Sequence, residues 1–132
     1  MISRRLLRLP AFAAMVALAA SSLAAGDVAV LEAIGWKLFF DPMLSAPRNT
    51  SCATCHIPEN GFESGVALGE GAYGDRLPRN APTVVNLADA KSFFWDGRAE
   101  SLEEQSKGPI ENPIEMDLSL AEAAQRVRDE PA

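Results

Sequence analysis

Apolar side chains recur at intervals of three and four through Val28, Leu31, Ile34 and Leu38. That spacing predicts an amphipathic helix capped by Asp27 and ended at Asp41-Pro42, since the residue before a proline is pushed out of helical geometry. The stretch from Met43 to Thr50 carries no period and reads as a loop, and Ser51 then stands where an N-cap opens a short helix through Cys52-Ala-Thr-Cys55-His56. From Ile57 to Pro82 glycine and proline are frequent and neither the helical nor the strand period is sustained, the mark of a long functional loop. A short helix is expected from Thr83 to Ala90. Ser101 and Glu104 form a capping-box pattern for a helix around Leu102 to Lys107, stopped by Gly108-Pro109. Ser119 and Glu122 repeat it for a last helix, Leu120 to Asp129. No alternating strand pattern occurs, so the fold class is mainly α with long connections.

The first 26 of the 132 residues stand apart from this pattern. Arg4, Arg5 and Arg8 precede a short apolar run from Ala11 to Ala20, and small residues follow to Gly26, the order of a secretory signal peptide. The run is shorter than the roughly 20 residues a bilayer requires, which favours cleavage over a permanent anchor. Residues 1–26 are therefore read as a signal peptide and 27–132 as one small domain exported to the periplasm. Cleavage removes three arginines and no acid, so the formal charge moves from −6 to −9. An acidic surface repels nucleic-acid phosphates and favours encounter with a small basic protein, although it equally suits a merely soluble one. So short a domain has a modest core, which a covalently held cofactor would enlarge.

Cys52-Ala-Thr-Cys55-His56 contains the two cysteines and the single histidine of the chain. Thiols three positions apart on a helical turn can each add to one vinyl group of a haem, leaving the adjacent histidine beneath the ring as an iron ligand. A structural zinc site lacks its four ligands here, and a thioredoxin-like dithiol lacks the β and α alternation around it. A plain disulfide stays open as the alternative. One covalent haem c, held by Cys52 and Cys55 with His56 as proximal ligand, is the favoured reading.

The surroundings of this motif carry a further signal. The segments Leu38-Phe-Phe-Asp-Pro-Met-Leu-Ser45, Gly61-Phe62, Arg79-Asn-Ala-Pro-Thr83, Phe94-Trp-Asp-Gly-Arg98, Ser101-Leu-Glu-Glu-Gln105 and Gly108-Pro-Ile-Glu-Asn-Pro-Ile-Glu-Met116 accompany it in order. Together they resemble the N-terminal domain of bacterial di-haem cytochrome c peroxidases and of the related methylamine-utilisation enzymes, which oxidise a protein substrate. The resemblance runs from Ile34 to about Arg128. It implies a cytochrome c-like haem domain whose haem binds hydrogen peroxide, with electrons from a small redox protein such as a cytochrome c or a cupredoxin. It further implies Glu115 as the distal acid, Gln105 as a distal glutamine, Trp95 as the electron bridge between haems, and Asn80 as one contributor to a calcium site at the domain junction. One amide is only a partial site for an ion that takes six to eight oxygens. Trp36, Phe39, Phe40 and Phe62 are expected to pack around the haem or in the core.

The chain departs from the family pattern in two respects. The second haem motif and the C-terminal haem domain are absent, which suggests a truncated frame whose missing domain would have to be supplied separately. This opens an alternative: a single-haem electron-transfer cytochrome c with Met116, or more weakly Met43, as sixth ligand. In addition, the loop Gly65 to Pro78 holds Tyr73 and no histidine, so the histidine that caps the oxidised iron in many relatives is missing. An open or water-bound iron is expected, with tyrosinate from Tyr73, favoured by Arg76, as the lesser option.

Overall fold

The computed structural model describes residues 27–130, and the signal-peptide reading of residues 1–26 lies outside them. By its internal contacts the chain divides into two units, Met1–Trp36 and Lys37–Ala132. Residues 27–40 are helical throughout (α1). Asp27 is already inside this helix, so it is not the cap that the apolar spacing pointed to. The proposed apolar face is exposed at Val28, Leu31 and Ile34.

Asp41 ends α1 as expected and does a second job. Its Oδ1 accepts from Met43 N at 2.8 Å and so opens a 3-10 turn, Pro42–Leu44, inside the stretch read as plain loop. Proline at the first position suits such a turn, because its fixed φ is already helical and its missing N–H would have had no partner there. Helix α2 is Cys52–Cys55, opened by Ser51 as the sequence indicates; the Ser51 N–H donates to Thr54 Oγ1 at 3.0 Å. A second 3-10 turn, Pro58–Asn60, follows.

The expected helix from Thr83 to Ala90 does not form; the segment is a pair of turns. Asn86 sits at φ +60°, Val85 is exposed, and Val85 N is drawn to the Thr83 hydroxyl at 3.1 Å instead of to a helical carbonyl. An isolated helix of eight residues is marginal in water, and here no packing surface compensates.

Helix α3, Leu102–Glu111, runs four residues beyond the expected stop and carries Pro109 inside it. Its cap is the predicted one, with Ser101 Oγ accepting from Glu104 N at 3.1 Å, but the Glu104 carboxylate reaches Glu100 N at 2.8 Å rather than Ser101 N. The extension past Gly108-Pro109 is explained by the chain that follows. Met116 N donates to Pro109 O at 3.2 Å and Leu118 N to Ile110 O at 2.8 Å, so the last carbonyls of α3 are satisfied by the returning strand of chain. Helix α4, Leu120–Asp129, has the predicted bounds and cap, Ser119 Oγ accepting from Glu122 N at 3.2 Å.

The core consists of Met43, Leu44, Met116, Leu118 and Ala123, with Leu38, Ala46, Ile110 and Val127 packed against them. It joins the first 3-10 turn, the end of α3, the chain after it and one face of α4. Arg126 crosses it: its guanidinium donates to the carbonyls of Met43 at 2.9 Å, Ser45 at 2.7 Å and Ala46 at 3.5 Å while also pairing with Glu122. Among the described residues, β-structure is confined to three isolated bridges, Ile57 with Glu63, Glu70 with Arg76 and Phe93 with Ala99. The fold is mainly helical with long loops, as the pattern predicted.

Candidate functional site

Helix α2 presents Cys52 and Cys55 three positions apart, both half-buried and neither in a disulfide. Burial pushes both thiols up from the ordinary value, and the Glu115 carboxylate pushes Cys55 further in the same direction. Both therefore carry their proton at neutral pH, and Glu115 lies within electrostatic range of Cys55, 60 positions away in the chain.

His56 closes α2, its N–H bonded to Cys52 O at 2.8 Å. Its ring is oriented by a tight reversal. Gly61 at φ +67° and Phe62 at φ +61° turn the chain back so that the Phe62 carbonyl lies 3.1 Å from Nδ1. With Nδ1 donating to that carbonyl, Nε2 keeps its lone pair free for a metal. The Phe39 ring stands 6.4 Å from the His56 ring and 5.9 Å from Phe62, with Phe40 5.3 Å from Phe39, so an aromatic cluster lies beside the histidine. Trp36 is exposed.

Beside Cys55 lies a cavity of about 420 Å³, bordered by Thr50, Ile57, Ser64 and the loop Gly69–Ala72. That loop is pressed onto the segment carrying Glu115. A Cβ built on Gly71 would fall 1.9 Å from the Ile114 carbonyl oxygen, and Ala72 N donates to Glu115 O at 2.7 Å. The Glu115 carboxylate accepts from Asn112 Nδ2 at 2.9 Å. Gln105, half-buried, precedes Asn112 by seven residues and so shares its face of α3. The structure thus sets Cys55 and Glu115 against the same loop, with Gln105 on the helix capped by Asn112, the residue that holds Glu115.

Trp95 and Asn80 form a separate cluster. The bridge between Phe93 and Ala99 closes a hairpin whose tip exposes Trp95, and the indole Nε1 donates to the Asn80 backbone carbonyl at 3.2 Å. Asp96 binds Arg98 at 2.8 Å and Arg79 at 3.8 Å, while the Arg98 guanidinium covers the Phe94 ring at 3.5 Å. Phe94 in turn fills the space that a side chain at Gly108 would need.

Met116 and Met43, the sulfur ligands of the electron-carrier alternative, are 5% and 4% exposed and packed in the core. Tyr73, the lesser option for an iron ligand, is exposed, and loss of hydration together with the Asp117 carboxylate raises its pKa above the ordinary value, the wrong direction for tyrosinate. Sequence reasoning overlooked Asn112, Gly71, Ala72 and the Phe62 carbonyl. Of these only Gly71, in a loop dense with glycine, left a trace in the sequence.

The two unpaired thiols, the oriented imidazole and the aromatic cluster fit a covalently attached haem. Comparison with known proteins points the same way. Residues 30–132 match the family described as di-haem cytochrome c peroxidase. The methylamine utilization protein MauG of Methylorubrum extorquens is 46% identical over 75% of this chain and 28% of its own length. The cytochrome c peroxidase of Escherichia coli is 46% identical over 64% of the chain and 18% of its own. Among solved structures, the di-haem peroxidase BthA of Burkholderia thailandensis superposes with a TM-score of 0.68 at 33% identity, over 76% of this chain and 30% of that one. The chain thus spans less than a third of the length of these relatives. On sequence and fold alike, it belongs to the di-haem cytochrome c peroxidase family, as a cytochrome c-like haem domain.

Proposed function

We propose that residues 27–132 form the N-terminal, peroxide-binding haem domain of a periplasmic peroxidase, and that residues 1–26 direct its export. Cys52 and Cys55 hold one haem c through thioethers and His56 is its proximal ligand. The observation that carries the reading is that one loop meets both segments, Glu70 O lying 3.9 Å from Cys55 Sγ and Ala72 N donating to Glu115 O at 2.7 Å, while His56 Nδ1 is engaged by Phe62 O at 3.1 Å.

When bound, the haem iron supplies the place where peroxide is held and the redox equivalents that cleave the O–O bond. The protein's part is proton handling. Reduction of hydrogen peroxide takes two electrons and two protons and yields two waters. Glu115 accepts a proton from one peroxide oxygen and delivers it to the other, so that water rather than hydroxide departs. Asn112 holds the carboxylate in place during both transfers, and Gln105 orients the peroxide from α3. Trp95, exposed at its hairpin tip, passes electrons arriving from a C-terminal haem domain. That domain takes them from a small cytochrome c or cupredoxin, and Asn80 contributes one oxygen to a calcium site at the junction.

Two measurements test this. The exported chain should carry the mass of one haem that survives acid-acetone extraction, and a bare polypeptide would refute attachment. Glu115→Gln should slow the reaction with peroxide by about a hundredfold or more while leaving the haem bound. An unchanged rate would remove Glu115 from the mechanism.

A further inference from the structure

The segments that carry Cys55 and Glu115 are joined directly, Ala46 N donating to Met116 O at 2.8 Å, and a second time through the Ala72 peptide. The Ala72 N–H donates to Glu115 O at 2.7 Å, and the carbonyl of the same residue accepts from Asn49 Nδ2 at 2.9 Å. Asn49 stands three residues before Cys52, on the chain leading into α2. Its amide is oriented, because Thr50 Oγ1 donates to Asn49 Oδ1 at 3.0 Å and thereby aims Nδ2 at Ala72. Its backbone is anchored as well. Asn49 N and Thr50 N both donate to Ser45 Oγ, at 3.2 and 3.1 Å, and Ser45 is fully buried with its carbonyl held by Arg126. On the far side, Gly71 lies so close to Ile114 that the loop and the Glu115 segment must move together.

We infer that Asn49 is a positioning residue for Glu115, fixing the distance between the distal carboxylate and the haem-bearing helix through the Ala72 peptide. The inference rests on the role proposed above for Glu115. Only a donor can serve at this position, since what it faces is a carbonyl oxygen. Ala46 fixes only the residue after Glu115, whereas the Asn49 side chain spans 23 positions to the peptide that bonds Glu115 O itself. Displacement of a reacting group by about 1 Å is enough to cost a hundredfold in rate.

The experiment uses the haem-loaded chain and the variants Asn49→Ala and Asn49→Asp, with two readouts. Amide hydrogen exchange at Ala72 reports the clamp directly, and should quicken about tenfold or more in both variants. The rate with peroxide should fall about tenfold or more, and Asn49→Asp should be at least as slow as Asn49→Ala, because it keeps the volume and the Thr50 bond but sets oxygen against oxygen. A packing role would rank them in the opposite order. In a Glu115→Gln background, Asn49→Ala should change the rate less than twofold, since the group it positions is gone. Unchanged exchange at Ala72, or a rate within twofold of the parent in both variants, overturns the inference. A full rate in Glu115→Gln alone would instead overturn the reading of Glu115, while the exchange data would still decide whether Asn49 holds the loop.

Discussion

At the scale of single residues, the chain uses backbone carbonyls to orient its reactive side chains. Phe62 O takes His56 Nδ1, Ala72 O takes the Asn49 amide, and Asn80 O takes the Trp95 indole. Carbonyls carry no protons to lose and so fix a tautomer or a rotamer over the whole working pH range. Tyr73 has no such partner; it meets the Asp117 carboxylate. Its raised pKa has a defined consequence, because the folded state retains the phenolic proton more tightly than the unfolded chain does. This contribution to stability is complete below the unfolded value near 10 and is lost as pH climbs through the folded value. Tyr73→Phe should therefore lessen the alkaline fall in stability, and as Tyr73 is the one tyrosine of the chain, the phenolate absorbance band follows its ionisation without overlap from another. The same variant should leave the ferric spectrum at neutral pH unchanged. A change would restore tyrosinate as an iron ligand.

At the scale of elements, two short helices that bury little of their own surface are held by hydrogen bonds to neighbouring chain. Helix α3 tolerates Pro109 because Met116 and Leu118 return to its terminal carbonyls. Helix α4 buries only Ala123 fully, yet its Arg126, with a side chain 13% exposed, reaches three carbonyls around the first 3-10 turn. Hydrogen bonds from a charged donor are worth about 1.5–3 kcal/mol, and removing this donor strands buried carbonyls. Arg126→Ala should destabilise the haem-loaded chain by about 2–3 kcal/mol, seen as a lower urea midpoint at unchanged slope. Arg126→Lys should recover only part of the loss, since an ammonium lacks the fixed fork that spans carbonyls on three residues and Glu122. A midpoint unmoved in Arg126→Ala would show that the apolar contacts of Ala123 and Val127 suffice.

At the scale of the whole molecule, the described residues bury few large apolar side chains. Trp95, Phe40, Val66 and Ile114 remain exposed. On the function proposed above, a haem would cover part of this surface and a C-terminal domain the Trp95 tip. The relatives extend well beyond the span matched here. The haem-loaded chain should therefore react once with peroxide but turn over slowly with a reduced donor protein, and a separately produced C-terminal haem domain should raise the turnover. Trp95→Phe should blunt that gain without altering the first reaction. Full turnover by the chain alone would show that the second haem is dispensable.

The local sequence determined what local chemistry can determine. Spacing within five residues specified Cys52, Cys55 and His56, the cap residues Ser51, Ser101 and Ser119 announced their helices, and Asp41-Pro42 marked the end of α1. These features depend on neighbours one to four positions away, so they are legible in the chain itself. Failures came where distant partners outweigh local preference. Gly108-Pro109 is a helix stop until a returning segment satisfies its carbonyls, and Thr83 to Ala90 is a helix only if something packs on it. The approach of Glu115 to Cys55, the Asn49–Ala72 link and the burial of Met116 belong to the tertiary structure alone. Each joins segments tens of residues apart through contacts that neither segment makes by itself, and no periodicity in either one encodes the meeting.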